Sequence, residues 1–207
     1  MEAEEILEAV GNVLGSKERG FVESVDLSIN LKNVDLKQPK NRINIDIVLP
    51  KKFRELKIGA IASGETAMKA KDAGAELIDP EELKRMDKKK ARALVNRCDY
   101  FIAESALMAL VGKSLGTILG PRGKMPEAIP PGADPVQILT RLGKIARVRS
   151  KTTTLWVNIG RKNMDANDIA ENAAAVMKSI ESRLERGWQN IASVYMKTTM
   201  GHSVKVA

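Results

Sequence analysis

The sequence is short of the residues that carry most small-molecule chemistry. Its 207 residues include one cysteine, Cys98, and one histidine, His202. A single cysteine forms no internal disulfide. One Cys with one His also falls short of the four-ligand set of a structural zinc site, so no metal and no cofactor is expected. Nine methionines without a disulfide framework suit a reducing, cytoplasmic setting. Aromatics make up 3%: Phe21, Phe53, Tyr100, Phe101, Trp156, Trp188 and Tyr195. That scarcity argues against a single-strand binder that stacks bases along many rings. No apolar run approaches the ~20 residues that cross a bilayer, so no membrane partner is expected. The opening MEAEEILEAV is acidic and amphipathic, unlike a targeting presequence.

Acid–base catalysis needs converging carboxylates or a histidine. His202 has no partner by spacing, Glu81-Glu82 reads as a first helical turn, and Cys98 reads as a buried structural thiol. No convincing catalytic site emerges.

Charge is present in surplus. The chain has 34 Lys+Arg against 26 Asp+Glu, net +8. This favours anionic partners, nucleic acid first. The run DKKKAR at 87–92 suggests a basic patch, although such a run on a helix is more often a solvated face. Residues 55–149 hold 17 basic and 12 acidic side chains, net +5, and the remainder holds 17 and 14, net +3. Charge therefore does not locate a binding domain.

Periodicity divides the chain into three stretches. Ile6, Leu7, Val10 and Leu14 predict a helix over 2–14, with Glu2, Glu4 and Glu5 at its N-terminus. Val25, Leu27, Ile29 and Leu31 alternate with Ser24, Asp26, Ser28 and Asn30, predicting a half-exposed strand. A turn at 35–42 and a strand through Ile43, Ile45 and Ile47 suggest an antiparallel pair with it. Beyond residue 55 the pattern becomes strand–helix, with buried strands at 57–62, 76–79 and 100–103. Ser63 and Ser105 are candidate helix caps, and one helical region spans 80–97. Gly112–Gly132 is too rich in Gly and Pro for a regular element to fill most of it. A helix follows through Val136, Ile138, Leu139, Leu142 and Ile145. Near residue 150 the first texture returns, as a strand in RVRSKTTTLWVNIG, a helix over 165–184 and a strand over 191–200.

The expected fold is an α+β terminal domain, an antiparallel or mixed sheet with packed helices, formed by 1–54 and 150–207. A three-layer, Rossmann-like α/β domain, 55–149, interrupts it.

Gly123-Lys124 invites a phosphate-loop reading. However, Ile118 stands where that loop needs its first glycine, and Met125 replaces the magnesium-binding hydroxyl. The residue-level alternatives are a rigid surface loop with exposed Arg122 and Lys124, or a small-molecule- or nucleotide-binding α/β enzyme using loop 112–132.

Three strings point elsewhere: ILGPRGKMP (118–126), SVYMKTTMG (193–201) and FVESVDLSINL (21–31). In this order the chain closely resembles the L-one family of large-subunit ribosomal proteins, the proteins of the mobile rRNA stalk. The short N-terminus resembles the archaeal type. The resemblance implies a two-domain, non-enzymatic, RNA-binding ribonucleoprotein component. It would be ribosome-associated in the cytoplasm, monomeric when free, and bound to folded large-subunit rRNA through the terminal domain. It further implies a role in releasing deacylated tRNA from the exit site, and translational repression by binding its own mRNA. The site positions it carries over are Phe21, Ser24, Ser193, Thr199, Met200 and Gly201, with Arg161 as a weaker match. Phe21 and Met200 would pack on RNA, the hydroxyls would bind ribose or phosphate, and Gly201 would admit close backbone approach. Gly120, Pro121, Arg122, Gly123, Lys124, Met125 and Pro126 form the family motif of the inserted domain, suited to a hinge or a tRNA-facing surface. The chain departs from the family at His202, where proline is usual.

Overall fold

A strand whose alternate residues are apolar must bury one face. In the computed structural model of the chain that strand is β1, Ser24–Leu31, with Val25, Leu27, Ile29 and Leu31 all buried. The structure describes residues 3–35, 38, 41–130, 133–149 and 152–206. Ser150, Glu2, Gly132 and part of the expected turn at 35–42 lie outside them. The chain divides into two compact units: Met1–Arg54 with Lys144–Ala207, and Glu55–Gly143.

In the terminal unit β1 is flanked on both edges by antiparallel neighbours, β8 (Thr154–Arg161) and β9 (Ile191–Thr198). β9 carries β10 (Val204–Lys205), which gives the order β10-β9-β1-β8. Helices α1 (Ala3–Leu14) and α7 (Ala166–Glu181) lay their apolar stripes on the buried face. Ile6, Val10 and Val13 of α1, and Ile169, Ala173, Val176 and Ile180 of α7, join Leu27, Ile29, Val157, Ile159 and Val194 in one core.

The expected β1 hairpin partner pairs elsewhere. Strand β2 (Asn44–Val48) forms a separate antiparallel ribbon with β7 (Ile145–Arg149). Both edges of β1 are already occupied, and the β1–β2 connection is far longer than a hairpin loop. Ile145, expected to close a helix, lies in β7 instead. Helix α6 (Pro135–Leu142) stops at Gly143, and the expected single strand near residue 150 is two strands, β7 and β8.

The second unit is a parallel sheet in the order β4-β3-β5-β6: β3 (Ile58–Ile61), β4 (Glu76–Ile78), β5 (Tyr100–Glu104) and β6 (Glu127–Ile129). All four residues of β3 are buried, as expected where both faces of a parallel strand are covered. The connecting helices are α2 (Gly64–Asp72), α3 (Pro80–Arg85), α4 (Lys88–Arg97) and α5 (Met108–Arg122). The carboxylates of Asp79 and Asp134 accept N–H bonds from Glu81 and Val136 and cap α3 and α6, each with proline at the first turn. Ser63 sits before α2 without capping it; its hydroxyl donates to Glu104 at 2.9 Å. The expected continuous helical region 80–97 breaks at Met86-Asp87.

The glycine-rich stretch is the largest departure from expectation. Helix α5 runs through Gly112, Gly116 and Gly120 and takes Pro121 in its last turn, and β6 follows as a fourth strand. Val111, Leu115 and Leu119 recur every fourth residue and are fully buried. That stripe outweighs the roughly 1 kcal/mol that each interior glycine costs a helix.

Candidate nucleic-acid interface

One end of the terminal sheet is closed by the turn that follows β9. The Thr199 N–H donates to the Ser24 carbonyl at 3.1 Å, and the Ser24 N–H donates to the Thr199 hydroxyl at 3.1 Å. These bonds extend the β1–β9 ladder by one rung. On the other side Ser24 pairs in register with Arg161 of β8. Thr199, Ser24 and Arg161 therefore meet at one sheet end, and Met200 and Gly201 continue from it. Phe21 lies just ahead of β1 at the same end. Phe21 and Met200 are 55% and 59% exposed, so two large apolar side chains stand in water beside the turn. Arg161 is exposed, and its backbone N–H points to the Met164 sulfur.

A residue that sequence reading missed holds this turn. Glu23 is 1% exposed, and its carboxylate accepts the Met200 N–H at 2.8 Å. Lys162 lies 3.7 Å from the same carboxylate. Its ammonium also donates to the Ser16 carbonyl at 2.6 Å and to the Lys17 carbonyl at 3.2 Å. The ion pair thus ties the loop after α1, the approach to β1 and the Met200 turn together. The signal available in sequence was a charged residue, Glu23, standing at the threshold of an alternating strand.

Gly201 has a steric reason for being glycine. A Cβ there would lie 2.3 Å from the Thr198 hydroxyl and 3.5 Å from Ser16. Its tolerance for close approach is already used by the protein's own atoms. His202, exposed, follows it.

Ser193 is not at this end. It sits six residues earlier on β9, roughly 20 Å away along the strand, where its hydroxyl accepts from the Asn30 amide at 2.9 Å. Asn30 in turn accepts from the Thr154 hydroxyl at 2.9 Å, and Asn158 donates to Asp26 at 2.8 Å. The sheet face opposite the helices thus carries ordered polar ladders joining β9, β1 and β8.

The motif Gly120–Pro126 lies in the other unit and has internal work there. Gly123, at φ 63°, ends α5 in the left-handed conformation that glycine adopts without strain. Lys124, expected to be exposed, is half-buried. Its ammonium donates to the carbonyls of Val95 and Cys98 at 2.9 and 2.6 Å and caps the C-terminal end of α4. Exposed Arg122 donates to Asn96, Pro126 is buried, and Met125 is exposed. Lys88, Lys89, Lys90 and Arg92 form an exposed face of α4 above buried Ala91. Cys98 is fully buried, which pushes its thiol pKa up, and its S–H points to Glu76 at 3.7 Å.

The alternative reading of 112–132 as an active-site loop meets a poorly suited crevice at the strand ends. The crevice outside the carboxyl ends of β3, β5 and β6, about 260 Å³, is lined by Glu65, Thr66, Lys69, Glu104, Pro130, Ala133, Asp134 and Pro135. Among the described residues of that stretch, Pro130 alone lines it. Three carboxylates there face one ammonium, and Lys69 is already paired with Glu65 at 2.8 Å, a poor setting for phosphate. Among the described residues no group of three His, Cys, Asp or Glu could hold a metal, and no helix is long and apolar enough to cross a membrane.

Comparison with known sequences agrees with the three motifs. Residues 13–202 match the family described as "Ribosomal protein L1p/L10e family". The chain is similar to the protein named "Large ribosomal subunit protein uL1" from several archaea. It is 47% identical to that of Methanocella arvoryzae, covering 100% of both chains. It is 48% identical to that of Methanothrix thermoacetophila over 98% of this chain and 99% of the relative. It is 46% identical to that of Archaeoglobus fulgidus over 97% and 94%.

Proposed function

Because this chain belongs to the ribosomal protein L1p/L10e family, we propose that it is a non-enzymatic constituent of the large ribosomal subunit that binds folded rRNA of the mobile stalk. The observation that carries the site is the convergence of Phe21, Ser24, Arg161, Thr199, Met200 and Gly201 at one end of the terminal sheet. Phe21 and Met200 supply exposed apolar area for a sugar or base edge, and Arg161 supplies the cation for a phosphate. The Ser24 side chain and the outer lone pair of the Thr199 hydroxyl remain for ribose hydroxyls. Glu23 and Lys162 fix the turn before RNA arrives, so little ordering entropy is lost on binding. Ser193 would contact a separate nucleotide further along the same strand.

The α/β unit, read as a domain inserted near residues 54 and 150, would face deacylated tRNA at the ribosomal exit site. The same terminal surface would bind the protein's own mRNA where that message mimics the rRNA fold, repressing translation. Co-sedimentation tests the assignment. The protein should travel with large ribosomal subunits and remain after a moderate salt wash. Recovery only in the free fraction would refute it.

A further inference from the structure

A second feature of the terminal sheet lies between the two ends just described. Lys205 of β10 pairs in register with Tyr195 of β9, Tyr195 with Ser28 of β1, and Ser28 with Trp156 of β8. Cross-strand partners point to the same face. The row Lys205–Tyr195–Ser28–Trp156 therefore crosses all four strands on the face opposite α1 and α7. Ser28 is buried between its two aromatic neighbours, whereas Trp156 is 61% exposed and Tyr195 partly so. Leaving an indole in water forgoes one of the largest apolar burials available to a side chain.

The row is bracketed by polar ladders. On one side Asn30 joins Ser193 and Thr154; on the other Asn158 donates to Asp26, which faces Lys197 in register. The rings are thus held as isolated flat surfaces among satisfied hydrogen-bonding groups. A partner helix needs a contiguous apolar strip, which this face lacks. Flat rings with neighbouring ammonium groups match a nucleotide instead, a base for the ring and a phosphate for the lysine. The row is also continuous with the proposed rRNA end, since β1 and β9 carry both.

We propose that Trp156 and Tyr195 stack unpaired bases of the bound large-subunit rRNA, with Lys205 and Lys197 against the adjoining phosphates. The two rings stand two strands apart, roughly 10 Å, so each takes its own base. This inference rests on the rRNA reading above and adds the face on which single bases are held. It requires only two rings, so the scarcity of aromatics in the chain does not oppose it.

The test uses the full-length protein and a stalk rRNA fragment. Trp188→Phe leaves Trp156 as the sole tryptophan, and its emission should be quenched on titration with the fragment. Trp156→Ala should weaken binding about tenfold or more, and Trp156→Phe should retain most of the affinity. Replacing unpaired purines one at a time by abasic sites should identify one at which wild type and Trp156→Ala bind equally. Equal affinity of wild type and Trp156→Ala for intact RNA that the wild type binds specifically would overturn the inference and leave the sheet-end site standing. Failure of the wild type to distinguish the fragment from random duplex would refute the rRNA reading itself.

Discussion

Glu23→Gln is the sharpest perturbation of the terminal site, because it removes a charge while keeping nearly every atom. The carboxylate is 1% exposed, accepts the Met200 N–H at 2.8 Å and lies 3.7 Å from Lys162. A hydrogen bond to a charged group contributes about 1.5–3 kcal/mol, and losing one partner of a buried ion pair about 3–5 kcal/mol. Two features reduce the second figure here. Lys162 keeps its bonds to the Ser16 and Lys17 carbonyls, and the Gln carbonyl can still accept from Met200. A loss of about 2 kcal/mol is expected, about 8 °C in Tm for a unit the size of the terminal one. Both tryptophans, Trp156 and Trp188, belong to the terminal unit, so their emission reports unfolding of that unit alone. RNA affinity should fall further than stability alone explains, because the Met200 turn is then held by a neutral rather than a charged acceptor. A Glu23→Gln protein that unfolds within about 0.5 kcal/mol of wild type and binds RNA equally well would refute the claim that Glu23 positions the turn.

Other outcomes follow from the same geometry. Arg161→Ala should weaken RNA binding and reduce the salt dependence by about one phosphate contact; an unchanged slope in a salt titration would remove Arg161 from the interface. Gly112→Ala and Gly116→Ala should each stabilise the α/β unit by up to about 1 kcal/mol. A Cβ meets nothing within 4 Å at either position, and chemical denaturation followed by far-UV circular dichroism would show the gain or its absence. Cys98, fully buried with its thiol pKa raised by that burial, should resist a thiol reagent in the native protein and react once in denaturant. Fast labelling of native protein would contradict its placement.

Local pattern carried part of this fold into the sequence. The alternation of β1 and the stripe of α7 each had one apolar face with one place to go, and both are found where periodicity put them. What pattern could not supply was pairing. Nothing in β2 says that its partner is β7, about a hundred residues on, because a strand's apolar pattern fixes which face it buries and not which strand lies beside it. The α5 helix was hidden for a different reason. Its glycines argue against a helix residue by residue, whereas Val111, Leu115 and Leu119 win collectively through burial that only the packed unit provides. At the candidate site the motif identified Thr199, Met200 and Gly201, but not Glu23 and Lys162, whose roles exist only once distant segments meet. Trp156 was visible as a rare residue and invisible as an exposed one, since its neighbours on the face come from three other strands.

Recognition of folded large-subunit rRNA at the exposed end of the terminal sheet is open to direct test. The most direct measurement is filter binding of wild type, Met200→Ala and Thr199→Ala to a stalk rRNA fragment and to random duplex RNA of equal length, with circular dichroism confirming the fold of each protein. Wild type should prefer the stalk fragment. Both variants should lose that preference while retaining the weak, salt-sensitive binding to duplex that the net charge of +8 supplies. Equal affinity of the wild type for both RNAs, or undiminished preference in both variants, would contradict it.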